Sequence, residues 1–536
     1  MVILPFGERA LLAELSSLGE VVALADRLRS RALPGVTEIL PAARTILVRI
    51  DPAVTAIATV QAWLRATDAA SAPPARRHAP LVEVPIVYDG LDLEATASEM
   101  GMSAEALAAR HHAAEWTVAF TGFAPGFGYL VSEGWGLDVP RLASPRTRVP
   151  AGSVGLAGEF SGAYPRETPG GWRLIGTTSA QLFDPAAAEP ALLRPGARVR
   201  FAPAREAIAR PAAAPQPAAA PRLEAIARTE AAPRPAASPH GAGGRPAFTV
   251  LAAGALTTVQ DQGRAGRLAD GVAFSGAADR AALRTGNRLV GNAEGAAGLE
   301  ITLGGFRAVA ADDLWIAVTG GWGPLRVGDL EVDPFRAVRW PAGATLEVGP
   351  LAHGARAFLA VRGGVAGPAV LGSRATDVLA GLGPRPLASG DTVALSGEEA
   401  AAIPVDDLHP WGPPPDVLEI PLAPGPRRDW FTREANELLF EALWTVSADA
   451  DRIGIRLDGP ALTRSRTGEL PSEGMLPGAL QVPPRGRPVI LGPDGPVTGG
   501  YPVIAVVPDA SRDLLGGARP GTRLRMRHAR VPGRFL

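Results

Sequence analysis

Ser161-Gly162-Ala163-Tyr164-Pro165 recurs downstream as Thr498-Gly499-Gly500-Tyr501-Pro502. Each is preceded by a second matched phrase, Val149-Pro150-Ala151-Gly152-Ser153-Val154 in the first case and Leu476-Pro477-Gly478-Ala479-Leu480-Gln481 in the second. Matched phrases in the same order, far apart, point to two copies of one structural module. Each copy joins a small-residue turn, a backbone opened by glycine and a tyrosine followed by proline. Such a combination brings main-chain N–H groups close to a ligand. Gly152, Ser153, Tyr164, Gln481, Thr498, Gly499, Gly500 and Tyr501 are therefore candidate ligand contacts.

Composition removes whole mechanisms. The formal charge of the 536 residues is −1, so neither a nucleic-acid nor an anionic-membrane partner is expected. All 53 basic residues are arginine and cysteine is absent. Without lysine there is no Schiff base, no P-loop lysine and no attachment point for biotin. Without cysteine there is no thiol nucleophile, disulfide or Cys-ligated metal. A GC-rich genome also accounts for this bias, and the exclusions hold in either case. Glu8 and Arg9 interrupt the apolar N-terminus, and no window of roughly 18 uncharged apolar residues occurs. A cytoplasmic protein is expected.

The length predicts about three to four domains. An Ala/Pro-rich stretch over 204–246 reads as an extended linker. A weaker break at Ala70–Arg77 precedes a strand-like run, Leu81–Tyr88. Leu93–Met100 and Ala104–His112 read as helices, the second capped by Ser103. A third runs from about Ala278 to Val290, with Ser275 as its expected cap and Gly291 after its end. Elsewhere short apolar runs such as Val118–Phe120, Val154–Leu156 and Val199–Phe201 alternate with Gly and Pro, which is barrel texture.

Several constellations can carry chemistry. Phe120 to Leu130 holds Gly122, Phe123, Pro125 and Gly126, breaking regular structure while aromatic rings wall a pocket. Arg146 and Arg148 alternate, so a strand would aim both at one face, suited to a carboxylate or phosphate or else to a solvated edge. His111 and His112 close a helix, where a histidine serves either as a base or as a favourable charge at the dipole's end. Gln260, Asp261 and Arg264 lead into glycine turns, followed by Arg362-Gly363, Thr376-Asp377 and Ser472-Glu473. Each fragment alone is an ordinary turn.

At these residues the chain resembles a pair of bacterial proteins fused end to end. Gly122-Phe123-Ala124-Pro125-Gly126-Phe127, Ser144–Ser153 and Pro169-Gly170-Gly171-Trp172 resemble the B subunit of prokaryotic 5-oxoprolinase, also described as allophanate hydrolase subunit 1 or the kinase-inhibitor family. Leu256–Gly304, Arg362–Asp377, Asp451–Pro460 and Ser472–Val507 resemble the C subunit, allophanate hydrolase subunit 2. Similar text forms the carboxyltransferase region of urea carboxylase and urea amidolyase. The resemblance implies a mainly β fold with α/β elements: repeated cyclophilin-like β-barrel modules, one in the B half and two in the C half, plus a small N-terminal α+β domain. The expected spans are 1–75, 80–203, the linker 204–246, 247–400 and 401–536. One departure stands out. The family often has glutamine before the first Gly-x-Tyr-Pro motif, and this chain has Phe160, which opens the question of its specificity.

The implied function is a B–C component of ATP-dependent 5-oxoprolinase, working with a separate A-type subunit. ATP with Mg²⁺ would activate the lactam oxygen for attack by water. Arg146, Arg148 and Arg264 would neutralise charge, and Gly-rich N–H groups would cradle oxyanions. Asp261, Glu473 or His111 would handle protons or Mg²⁺, with no dedicated metal site expected. Gln260, Ser275, Arg362, Gly363, Thr376 and Asp377 join the binding candidates. The alternatives are a carboxyltransferase acting on urea or a related amide, with biotin carried by another chain, and a kinase-regulating binding protein.

Overall fold

In a computed structural model of the chain, the described residues are 1–68, 81–144, 146–204, 245–404, 409–413, 415–468 and 470–529. The break at Ala70–Arg77 lies outside them, as does nearly all of the 204–246 linker.

Residues 81–203 form a seven-stranded sheet. Its order is Arg173–Thr177, Ser153–Ala157, Phe160–Ala163, Gly128–Val131, Trp116–Thr121, Arg198–Pro203 and Leu81–Ile86. A bridge between Val87 and Thr177 joins its ends. Residues 417–528 form a closed barrel in the same order: Val503–Val506, Ala479–Gln481, Val489–Leu491, Gly454–Asp458, Leu443–Val446, Arg523–His528 and Val417–Pro424. In both, the first strand in sequence pairs parallel with the last. The duplicated module is thus present at the level of topology.

The equivalence runs through different residues from those the tyrosine motif implies. Ser161-Gly162-Ala163 lies on an inner strand of the first barrel, whose counterpart is Val489–Leu491. Thr498–Gly499 instead pairs with Glu473–Gly474, outside the barrel ladder, and corresponds to Thr168–Gly170 paired with Arg146–Val149. The upstream phrases do correspond. Gly152 (φ 83°) and Gly478 (φ 90°) each open the strand that follows. A Cβ would lie 2.5 Å from the Thr178 carbonyl oxygen at Gly152 and 2.9 Å from that of Val507 at Gly478, so only glycine fits either turn.

A second equivalence settles the role of His111. Trp116-Thr117-Val118 and Trp444-Thr445-Val446 begin corresponding strands. Each indole N–H donates to the carbonyl five residues back, His111 at 3.1 Å and Leu439 at 3.0 Å. His111 therefore occupies the place of a core leucine and is 0% exposed. Its Nδ1 and Nε2 lie 2.8 Å from the Tyr88 hydroxyl and the Ser161 Oγ, among the rings of Trp116, Trp135 and Phe201. Burial pulls its pKa from 6.5 to about 3. It stays neutral and has no open face from which to act as the expected base.

The N-terminal sheet, ordered Val2–Pro5, Ala10–Glu14, Thr45–Ile50 and Val36–Pro41, is apolar on both faces. Leu11, Ala13, Ile46 and Val48 face the helices Leu18–Ser30 and Ile57–Asp68. Leu12, Leu40 and Leu47 pack on Met475, Val503 and Val506 of the second barrel. This small domain thus seals onto the opposite half of the chain. Residues 246–394 between the barrels form a six-stranded and a five-stranded sheet around one core containing Phe248, Leu299 and Trp340. The helix Arg280–Leu289 rests on them, and its cap is Asp279, which accepts from the Ala282 N–H at 2.8 Å, rather than Ser275. No helix among the described residues is long and apolar enough to cross a membrane.

Because His111 is neutral when folded but gains a proton below pH 6.5 when unfolded, its contribution is full above 6.5 and falls as pH drops. His111→Leu, copying Leu439, should flatten the melting temperature between pH 6.5 and about 4, at an overall cost of about 1–3 kcal/mol from the lost hydrogen bonds. Tryptophan-fluorescence melting checks this, and an unchanged acid slope contradicts it.

Candidate functional site at the junction of the halves

The loop after Trp116–Thr121 does not wall an open pocket; it grips the other half. The Phe123 N–H donates to Thr498 Oγ1 at 2.9 Å and the Gly126 N–H to the Asp270 carbonyl at 3.2 Å. Thr121 Oγ1 donates to the Ala269 carbonyl. A Cβ at Gly122 would collide with Thr498 Oγ1, so the close approach needs glycine. The C-terminal half reciprocates, since a Cβ at Gly271 would lie 2.7 Å from the Ala124 carbonyl, beside Pro125. Phe123 adopts φ 66°, unusual for a bulky residue, at the point of contact. Behind it Phe127, Tyr129, Tyr164 and Trp172 meet edge to face, and Phe160 adds its ring against Phe120 and Tyr129. The Tyr129 hydroxyl lies against the side chains of Ser472 and Thr498 across the junction.

Between the N-terminal sheet and the second barrel lies a cavity of about 310 Å³. Glu473 lines it together with Glu14, Arg44, Thr45, Arg427 and Trp430. Arg427 donates Nε to Glu473 Oε1 at 2.9 Å and Nη1 to Glu14 Oε2 at 2.8 Å. Burial disfavours the Arg427 charge, yet Glu473 and Glu14 hold its pKa above the ordinary range. Burial also disfavours the Glu473 charge, and Arg427 opposes it.

A second cluster ties the sandwich to the second barrel. Gln260, Asp261, Arg264, Ser275, Thr376 and Asp377 do come together here. Asp261 accepts from Ser373 Oγ and the Arg374 N–H, both at 2.7 Å. Ser275 donates to Asp494 Oδ1 at 2.7 Å and the Thr376 carbonyl at 3.0 Å, and Gln260 donates to the same carbonyl at 2.9 Å. Arg264 donates Nε to the Val370 carbonyl at 3.0 Å. Arg452 is the hub, with Nε 2.9 Å from Asp494 Oδ2 and Nη1 2.7 Å from Glu300 Oε1. Burial, then the charge of Asp494, raises the Asp377 carboxyl to about 7.

The remaining candidates are dispersed. Arg146 pairs with Asp92 at 2.6 Å, whereas Arg148 is 75% exposed and meets Glu167 at 2.5 Å, so the two form no shared grip. Ser153 and Tyr164 are buried in the first barrel. Arg362 donates to the carbonyls of Val290 and Ala401, and the Gly363 N–H to Asn292. Gly499 lies beside Gln481, Gly500 beside the Leu470 carbonyl, and Tyr501 is 43% exposed. Sequence reasoning missed Arg44, Thr45, Arg427 and Trp430, two short local pairs whose meeting across separate domains no sequence spacing signals.

Removing Arg452 takes from buried Asp494 its guanidinium partner and leaves Glu300 with Arg356 alone. Arg452→Met should cost about 3–5 kcal/mol, measured by denaturant unfolding of the full chain. A change below about 1 kcal/mol, within the range of exposed ion pairs, contradicts the hub role.

Comparison with known proteins agrees with this architecture. The models for the carboxyltransferase domain match residues 1–193 (subdomain C and D) and 270–528 (subdomain A and B). The chain is 37% identical over 266 residues to the C subunit of 5-oxoprolinase from Escherichia coli (strain K12), covering 49% of this chain and 84% of that protein. It is 42% identical over 215 residues to the B subunit of 5-oxoprolinase from Escherichia coli O157:H7, covering 38% of this chain and 95% of that protein. Urea amidolyase of Lachancea kluyveri is 34% identical over 51% of this chain, which spans 16% of that protein. Among solved structures, TTHA0988 superposes with a TM-score of 0.79 at 34% identity, over 97% of this chain and 99% of that one. The chain belongs to the carboxyltransferase-domain family that includes the B and C subunits of 5-oxoprolinase, and carries both kinds of domain on one polypeptide.

Proposed function

We propose that the chain is the fused B–C component of an ATP-dependent 5-oxoprolinase, opening 5-oxoproline to glutamate together with a separate A-type subunit. The observation that carries this reading is that one chain matches both subunits over most of their lengths. The latch between Phe123 and Thr498, beside the Glu473 cavity, supports it. A fused pair holds its halves at high effective concentration.

In this account the cavity orients the lactam and excludes bulk water. Glu473, buried and held by Arg427, accepts the proton of the attacking water. ATP with Mg²⁺, when bound with the A-type partner, would supply the activation of the lactam oxygen. Among the described residues no group of three or more His, Cys, Asp or Glu side chains is placed to hold a metal ion. The urea amidolyase relatives favour a second reading, carboxyl transfer to an amide, in which biotin arrives on another chain because this one has no lysine.

The test is ADP release by the purified chain with its A-type partner, with and without 5-oxoproline. The expected result is release that requires both proteins and the substrate, with glutamate formed in step. Glu473→Gln should slow turnover by about 100-fold or more, measured per folded protein because losing the buried Arg427 pair also lowers stability. No stimulation in any pairing contradicts the proposal.

A further inference from the structure

The charges around the cavity do not cancel evenly. Three guanidinium groups line it, from Arg44, Arg427 and Arg466, along with three carboxylates, from Glu14, Asp429 and Glu473. Arg427 is engaged by Glu473 and Glu14, and Arg466 lies 2.6 Å from Asp429. Arg44 meets none of them; its Nη2 donates to the Ser16 carbonyl at 3.0 Å. Among its five N–H donors, this is the one hydrogen bond found to protein, and Arg44 lines the cavity. Next to it in sequence, Thr45 is 1% exposed and lines the same cavity, yet its hydroxyl has no partner. Across the cavity the buried indole N–H of Trp430 is also unpartnered.

Buried polar atoms are ordinarily satisfied, so two unpaired groups at one cavity mark the hydrogen bonds a ligand would complete. A guanidinium at a cavity wall with no carboxylate partner is suited to an anion. Leu4, Leu470 and Pro471 supply apolar wall. A cavity of about 310 Å³ stands at the small end of ligand sites.

Resting on the oxoprolinase reading, we infer that Arg44, with Thr45 and Trp430, is a carboxylate-recognising subsite. It selects a small cyclic amide bearing a carboxylate over a neutral amide such as urea. Arg44 grips the carboxylate, while Thr45 and Trp430 hydrogen-bond the ligand's remaining oxygens. The N-terminal domain thereby sets specificity for a reaction whose proton acceptor lies in the opposite half.

The test is calorimetric binding of 5-oxoproline and of 2-pyrrolidinone, the same ring without the carboxylate, to the full chain. Arg44→Gln should weaken 5-oxoproline about 10- to 100-fold, the range for one hydrogen bond to a charged group, and leave 2-pyrrolidinone unchanged. Thr45→Val should weaken both ligands. Arg44 is exposed, so its variant should melt as wild type. If wild type binds 5-oxoproline and Arg44→Gln binds it equally well, the subsite is overturned while the oxoprolinase reading stands. If wild type binds no 5-oxoproline, the oxoprolinase reading fails, and the subsite with it.

Discussion

The short ladder between Glu473–Gly474 and Thr498–Gly499 is the contact on which the other parts converge. Thr498 receives the Phe123 N–H of the first barrel. The Ser472 carbonyl accepts the Ala43 N–H of the N-terminal sheet at 3.1 Å. A Cβ on Gly474 would lie 2.8 Å from Leu47, so the sheet sits as close as a bare backbone permits. Glu473 looks into the cavity from the same strand. Two residue pairs thus hold three domains in register, and the cavity exists because they meet there.

The Arg452 cluster plays a complementary part. Ion pairs with no exposure repay their desolvation only when every partner is in place. Arg452, Asp494 and Glu300 come from the sandwich and the second barrel, so the charges are satisfied in one relative placement of the two. The convergence of Gln260, Asp261, Ser275, Thr376 and Asp377 has the same structural logic. Their side chains bond mostly to backbone carbonyls and N–H groups of neighbouring loops, while Gln260 Oε1 and Asp377 Oδ2 stay buried without a partner. The cluster fixes the platform from which the second barrel presents Glu473.

Much of the fold is legible in the sequence, and the failures have physical causes. The apolar runs and helix signals fall on strands and helices because alternation and capping are local properties. The tyrosine phrase misaligns the repeat, since Gly-Tyr-Pro is turn chemistry that suits many strand ends. Trp116-Thr117-Val118 and Trp444-Thr445-Val446 align it correctly, because each indole must find a carbonyl one helical turn earlier. His111 reads as a base because a histidine at a helix end carries the same local signal whether it faces water or the core. Arg146 and Arg148 alternate as read, but on an edge ladder one reaches Asp92 and the other stays in solvent. Of the cavity, only Glu473 was legible. Its lining residues, from Val2 to Glu473, become neighbours only when the N-terminal sheet crosses to the far half.

The most direct test of the account is a crystal structure of the full chain soaked with 5-oxoproline. The account predicts the ligand in the cavity beneath the N-terminal sheet, its carboxylate on Arg44 and its ring within reach of Glu473 and Trp430. A ligand bound against the aromatic cluster of Tyr129 and Trp172, or in the Arg452 cluster, with the cavity holding solvent alone, would contradict it.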